Sequence, residues 1–534
     1  MPPETSLTAR ARALWARWEQ LPATTRWWVG AAPTLVVTAV VFWIFNGEMG
    51  HRPIGSPHNY DEQFFIWCGW SITKGLAPYR DFLEYKPPML FITHALAVGT
   101  MGISGPGFRL FFTFLNLGAL LALQVSLLSR RINRVLLMTI FVGVVGFFVS
   151  LVRHDTHLDD AESVGLVYYS LGLAFLLVQS PWRRITEVVG AAFLACCVLS
   201  KEPYALCVIA SWATVFLFVD GTTDLKKNAK AYAKRTFLGV GIVVGLMLLY
   251  MLPTGAFLAY LKTLEGYGAM FRDPKKAYCV VLGFWHPGTP WEDLQNQVAY
   301  VRRDLLNLAQ LGYLIPLFVA VTIAVAKKSR LLLAAGVVTV LCGLYAVTAT
   351  NCQFRHYYVM PVSGALCFLA LGGQALTAEL EAVSKLLRAV VLAPLAVAVL
   401  IGLWPRLSEE AGKTYVYQPT IEPIPGIVEF VKQNSAPDDR IFTTGTPLLY
   451  VLADRISSVR QSSIIDELIE YYPGNTDEEK LRTIGEQLEQ HPPKLVVLDP
   501  EHGDRKRKHY QLMLFPFLTS HGYQQVSAYV WRRP

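Results

Sequence analysis

Long uncharged apolar runs, separated by short clusters of arginine and lysine, recur along this chain and restrict it to one class of fold. The runs are roughly 16–22 residues long, the length that carries an α-helix across a bilayer core. Charged residues make up only 16% of the 534 positions, against about a quarter in a soluble protein. No alternating pattern suggests a strand barrel. The chain reads as a polytopic α-helical membrane protein. Its net charge of +8 raises the question of nucleic acid, but the bases sit between apolar runs, as topology signals do, so nucleic acid is rejected as a partner. No cleavable signal peptide is expected, because the Arg10–Arg26 region leads into a full-length run without a small-residue cleavage site. Of the eight cysteines, Cys196, Cys197, Cys207, Cys342 and Cys367 fall within apolar runs, where cysteine acts as a small core residue. Cys68, Cys279 and Cys352 lie near the outer face, with no spacing that argues for a disulfide.

One run decides the topology. Residues 1–26 carry four arginines and are expected in the cytoplasm. The first span runs about Trp27–Phe45, and residues 47–107 follow outside. Within them, Met89–Ile103 is ~15 residues, or ~22 Å of helix, short for a core of ~30 Å. If it crossed, the clusters at Arg130-Arg131-Arg134, Arg183-Arg184, Lys226–Arg235 and Lys327-Lys328-Arg330 would all face outward. If it does not cross, all of them face the cytoplasm, as the positive-inside rule prefers. Met89–Ile103 is therefore read as a half-inserted or in-plane helix. The further spans are Phe108–Leu128, Val135–Val152, Val164–Val178, Ile185–Leu199, Pro203–Val219, Phe237–Leu252, Leu306–Ala326, Leu331–Thr350, Tyr357–Leu376 and Ala389–Trp404, which makes eleven with the first. The transmembrane domain thus covers residues 27–404, and residues 405–534 lie outside. There charge rises and helix and strand signals alternate, reading as a small α/β domain. Helices are expected at Ile424–Gln433, Thr476–Gln490 and Gln511–Ser520. Strands are expected at Arg440–Thr444 and Lys494–Asp499, with a single closing strand over Tyr523–Arg532. No phosphate-binding glycine loop appears there, so this domain is read as an acceptor-recognition unit or a cover.

The outer loops carry the chemistry. Asp61 and Glu62 open an apolar stretch that ends at Lys74-Gly75. Asn59 or Asp61 capping that helix is one reading. The other is a carboxylate at the membrane surface, placed to act as a general base on a hydroxyl. Lys86 stands before the rigid pair Pro87-Pro88, as an interfacial anchor or as a contact to a lipid phosphate. Lys201 and Arg355 are isolated bases in short outer loops, open to anion binding or to snorkelling. His356 adjoins Arg355. In the loop 153–163, His154 and His157 with Asp159 or Asp160 have the residue types to hold a divalent metal, the one cofactor candidate in the chain. Solvated loops of that composition without metal are the alternative.

These residues carry a resemblance. Tyr60-Asp61-Glu62 after the first span, then Pro78-Tyr79-Arg80-Asp81-Phe82 and Lys86-Pro87-Pro88, resemble the C-type glycosyltransferase superfamily (GT-C). That group includes protein O-mannosyltransferases and bacterial lipid A aminoarabinose transferases. The segments at Lys201 and at Phe354–Tyr358 are similar to later elements of its bacterial branch. The resemblance implies a polyprenyl-phosphate sugar as donor and transfer to a glycan, lipid or protein acceptor outside the membrane, in bacteria the inner membrane. It implies Asp61 as general base supported by Glu62, with Lys86, Lys201, Arg355 and His356 as contacts to the donor phosphate. Two other classes compete. A transporter or flippase of lipid-linked sugars would place its charges at mid-span, whereas here they gather at helix ends. A sensor or binding protein using the C-terminal domain would have no need of the acid–base cluster in the first outer loop.

Overall fold

Among the described residues, the expected apolar spans fall mainly in helix, because a chain of Leu, Val, Ala and Phe satisfies its backbone internally only by coiling; residues 306–311, 349–350 and 357–358 of three of them lie outside the described residues. The computed structural model describes residues 21–51, 54, 60–84, 86–103, 106–155, 158–220, 225–272, 312–348, 359–413, 420–461, 477–498 and 510–534. Helix α1 is Ala23–His51, α2 Tyr60–Thr73, α3 Pro88–Met101, α4 Gly107–Ser129 and α5 Arg134–Asp155. Helices α6 Ala161–Leu177, α7 Arg183–Val198, α8 Tyr204–Asp220, α9 Leu225–Met251 and α10 Ala256–Arg272 follow. Then come α11 Ile315–Lys328, α12 Arg330–Thr348, α13 Val359–Glu381 and α14 Lys385–Ala411. Among the described residues, five segments are long and apolar enough to cross a membrane: Ala23–Asn46, Gly107–Ser129, Asn228–Met251, Val359–Glu381 and Lys385–Pro405. Helix α13 is the central one, buried along most of its length. It meets α12 where Gly364 lets the backbones touch, since a Cβ there would lie 2.6 Å from the Thr339 carbonyl oxygen. Helices α9 and α14 are peripheral and turn large apolar side chains outward, including Phe237, Leu249, Leu386 and Ile401. So large an apolar exterior suits a lipid environment and not water.

The bundle has two unlike ends. At one, Arg130 donates through Nε to the Leu177 carbonyl, Asn133 N–H donates to Thr377 Oγ1 at 3.0 Å, and Lys327 pairs with Glu379 at 3.3 Å. The cluster Arg130, Arg131, Arg134, Arg183, Lys327 and Lys328 is gathered there by the turns α4–α5, α6–α7 and α11–α12, and Arg235 of α9 joins it through Glu187. At the other end lie α2 and α3, packed on each other as a helical hairpin. Each has 14 residues, about 21 Å of helix and short for a bilayer core. They pack closely because a Cβ on Gly69 would sit 2.6 Å from the His94 carbonyl carbon. Every residue from Glu62 to Ser71 is buried. Helix α2 is therefore walled in by protein, with Asp61 exposed at its start. Gly75 terminates it in a left-handed conformation, φ +82°, as its sequence position suggests.

What covers α2 is the C-terminal part of the chain. It contains α15 Ile427–Asn434, β1 Ile441–Thr443, α16 Leu448–Ala453, α17 Asp477–Gln490, β2 Leu495–Val497, α18 Phe515–Ser520, β3 Gln524–Ser527 and β4 Val530–Arg532. The sheet order is β1-β2-β4-β3, with β1 and β2 parallel and the other pairs antiparallel. Both faces of β1 and β2 are buried. Phe442 and Val496 join a local core with Leu481, Ile484, Leu488 and Leu518, whereas Ile441, Leu495 and Val497 face the main core. The expected single strand over Tyr523–Arg532 is instead the hairpin β3–β4, turning at Ala528-Tyr529. Helix α16 packs on α2, with Tyr450 6.0 Å from Trp67 and Asp454 paired to Lys74 at 2.6 Å. Leu83 N–H donates to the Arg460 carbonyl at 2.7 Å, and the Arg460 guanidinium donates to the Tyr79 carbonyl. Burial holds the Arg460 guanidinium below its usual range, partly offset by Asp81. Arg460→Ala is expected to cost the docking about 1.5–3 kcal/mol, the worth of a charged hydrogen bond. In hydrogen exchange, amides 76–86 should then open about ten- to hundredfold more often. Unchanged exchange would mean the cover is held elsewhere.

Candidate functional site

Two neighbouring acids at the start of α2 have opposite fates. Helical geometry turns Asp61 to solvent and Glu62 into the core. Glu62 is fully buried and pairs with Arg109 in the first turn of α4, itself buried. A carboxylate there is tolerated because a guanidinium meets it. The pair clamps the start of α2 onto α4 and so fixes where Asp61 stands. Around the pair, the cleft lined by Asn46, Phe108, Arg109, Phe112, Leu158 and Asp159 has a volume of about 10 Å³, room for about one water. This layer is packed structure, and any substrate must sit above it.

Two more pairs tie neighbouring elements to the same end. His94 of α3 donates from Nδ1 to the Leu90 carbonyl at 2.9 Å, and its Nε2 faces Asp159 Oδ2 at 3.6 Å, both residues buried. Lys201, between α7 and α8, pairs with Glu162 of α6 at 2.7 Å, again inside the protein. Met89 N–H donates to the Leu199 carbonyl at 2.9 Å, which brings the Lys86-Pro87-Pro88 corner onto the Ser200-Lys201-Glu202 turn.

The corner itself is rigid. Tyr79 holds a left-handed backbone at φ 64°, strained for a bulky residue. It is kept there by Tyr260 at 4.6 Å, Phe91 at 6.1 Å and a 2.6 Å hydrogen bond from its hydroxyl to the Lys86 carbonyl. Asp81 accepts from Ala77 N–H at 2.8 Å and from Arg80. Burial pushes the Asp81 carboxyl up, but Arg80 and that N–H outweigh it and hold it below its usual range. The Lys86 N–H donates to Glu84 Oε1 at 3.2 Å, and its ammonium lies 4.8 Å from the Phe65 ring, about one turn along α2 from Asp61. Glu202 opens to solvent within a hollow ringed by protein. That confinement pushes its carboxyl up, while its own N–H, Lys201 and Lys86 pull it down only in part. The arrangement thus sets the exposed Asp61 carboxylate and the half-buried Lys86 ammonium on elements packed together, which suits proton abstraction beside a stabilised anion.

The structure brings Asp61, Glu62, Lys86 and Lys201 to one end, with Asp159 and Asp160 beneath them. Lys201 is not on a surface turn: it is buried against Glu162. Arg355, His356 and His157 lie outside the described residues, and nothing is described of the His154 side chain. Among the described residues, no group of three or more His, Cys, Asp or Glu is placed to hold a metal. Arg109 and His94 were not singled out from sequence. The available signal was a charged or ionisable residue inside an apolar helix, which calls for a named partner.

No family model and no curated protein matches the chain. Solved structures do. ArnT from Cupriavidus metallidurans in the apo state is 15% identical, with a TM-score of 0.50 over 96% of this chain and 99% of that one. The same protein bound to undecaprenyl phosphate is 13% identical, with a TM-score of 0.51 over 95% and 98%. The oligosaccharyltransferase of Archaeoglobus fulgidus in its apo form is 12% identical, with a TM-score of 0.50 over 88% and 69%. The chain has the fold of these membrane proteins, the C-type glycosyltransferase fold that the sequence resemblance implies.

Proposed function

We propose that the chain is a glycosyltransferase that takes a sugar from a polyprenyl-phosphate carrier and delivers it to an acceptor hydroxyl at the hairpin end of the bundle. The observation that carries this reading is Asp61: an exposed carboxylate, held in place by the buried Glu62–Arg109 pair, in a fold shared with ArnT, one solved structure of which is bound to undecaprenyl phosphate. In the reaction, Asp61 accepts the proton of the acceptor hydroxyl as that oxygen attacks the anomeric carbon. The bond from that carbon to the phosphate oxygen breaks, and its electron pair leaves on the polyprenyl phosphate. Lys86 stabilises that leaving anion, and Lys201, held by Glu162, adds positive potential behind it. Arg355 and His356 complete the phosphate contacts in this reading. Glu62 acts by positioning Asp61.

The same reading gives eleven crossings of a bacterial inner membrane, with the N-terminus in the cytoplasm and the hairpin end outside. Segregation of the arginine clusters to the opposite end supports it. The C-terminal α/β unit becomes a periplasmic cover on α2. Lys86 supplies a test: Lys86→Gln should lower kcat about 10²–10³-fold, the worth of one charge stabiliser at a developing anion. Lys86→Arg should recover part of it. A Lys86→Gln enzyme with full kcat would remove Lys86 from the reaction.

A further inference from the structure

The arginine-rich end holds a pocket that the transfer reaction does not use. It lies between α7 and α9, with a volume of about 660 Å³, and is lined by Trp182, Arg183, Arg184, Glu187, Asn228 and Arg235, among others. Glu187 is almost wholly buried, and both of its oxygens are engaged: Arg183 Nε donates to Oε1 at 2.8 Å and Arg235 Nε to Oε2. One buried carboxylate therefore fixes two guanidiniums on adjoining helices. Arg184 adds a third at the exposed rim. Among the described lining residues, three arginines face one glutamate, so this lining is net positive although its floor is an acid.

The surroundings are amphipathic in a particular direction. Trp182 stands at the rim, 68% exposed, as an interfacial indole does. Further along α9 from Arg235, Leu238 and Ile242 are exposed at i+3 and i+7, so they continue from the guanidinium along one face of the helix. Ile185 of α7 is exposed beside them. A soluble anion would use the arginines and leave this apolar track unused, whereas a diacyl phospholipid uses both. Basic pockets between helices on the positive side of a membrane protein suit anionic headgroups.

We propose that this pocket binds the phosphate headgroup of an anionic phospholipid from the leaflet at the arginine-rich end, with an acyl chain along Leu238 and Ile242. The proposal rests on the chain spanning a membrane and not on the transfer reaction, so it stands or falls by binding alone. The experiment is native mass spectrometry of the purified full-length protein, titrated with phosphatidylglycerol or phosphatidylcholine. Wild type should prefer phosphatidylglycerol at least tenfold. Arg184→Gln/Arg235→Gln should lose that preference, whereas Lys328→Gln/Arg330→Gln, which removes equal charge from the same end, should keep it. Because removing Arg235 takes a partner from Glu187, Arg184→Gln alone is the second variant, with a several-fold loss expected and the fold undisturbed. No headgroup preference in wild type would overturn the proposal. So would an equal loss in the control pair, which would indicate bulk charge only, or full competition by glycerol phosphate, which would indicate a soluble-anion site.

Discussion

Asp61→Asn is expected to reduce sugar transfer by about 10²–10⁴-fold, the usual worth of a positioned general base, with the protein folded as before. The side chain is exposed and its replacement keeps the shape and the first turn of α2, so a structural cost is not expected. The loss should fall on kcat and kcat/KM together, because the proton moves only in the transition state. Donor binding, measured with the unreactive polyprenyl phosphate, should stay within about twofold, since that interaction belongs to cations and not to Asp61. Asp61→Glu keeps the base but displaces it by one methylene and should fall between the two. Wild-type rates in Asp61→Asn would assign proton removal to another group.

The second large effect concerns stability. Glu62 and Arg109 are buried together, and removing one leaves the other charged and unpaired. Glu62→Leu or Arg109→Met alone should each destabilise the protein by about 3–5 kcal/mol. Replacing both, with Glu62→Leu and Arg109→Met, should restore most of that loss, because an apolar pair of similar volume replaces a buried ion pair at little cost. Denaturant unfolding in detergent reads all four corners of the cycle. The cycle also separates two roles for Glu62. A structural clamp loses stability in the singles and recovers it in the double variant. An acid that takes part in chemistry beside Asp61 leaves the double variant stable but far slower than wild type.

How much of this was legible depends on the range of the signal. The helices were, because a run such as Tyr357–Leu376 must be helical once in lipid, whatever its neighbours. Met89–Ile103 was legible as a short helix: α3 has 14 residues and packs on α2 at Gly69. In the C-terminal unit, β1 and β2 announced themselves as apolar runs buried on both faces. The β3–β4 hairpin did not, because its turn at Ala528-Tyr529 has neither glycine nor proline to mark it. Helix α16, six residues long, is too short to show a period, yet it is what rests on Trp67. Within the candidate site, Asp61 and Lys86 were proposed from local spacing and resemblance. Their supports were not: Glu62 meets Arg109 and Glu162 meets Lys201 only after several helices have packed. Such partners sit tens of residues apart, and neither carries a local pattern.

The central claim is transfer from a lipid-linked sugar, and the most direct measurement is release of polyprenyl phosphate. Purified protein in lipid would be given a panel of radiolabelled polyprenyl-phosphate sugars together with membrane-derived acceptors. The account predicts that at least one donor is consumed, that free polyprenyl phosphate appears in step with labelled acceptor, and that neither appears without acceptor. A folded protein that consumes no donor, or that only moves intact donor from one leaflet to the other, would contradict it and make the chain a carrier of lipid-linked sugars.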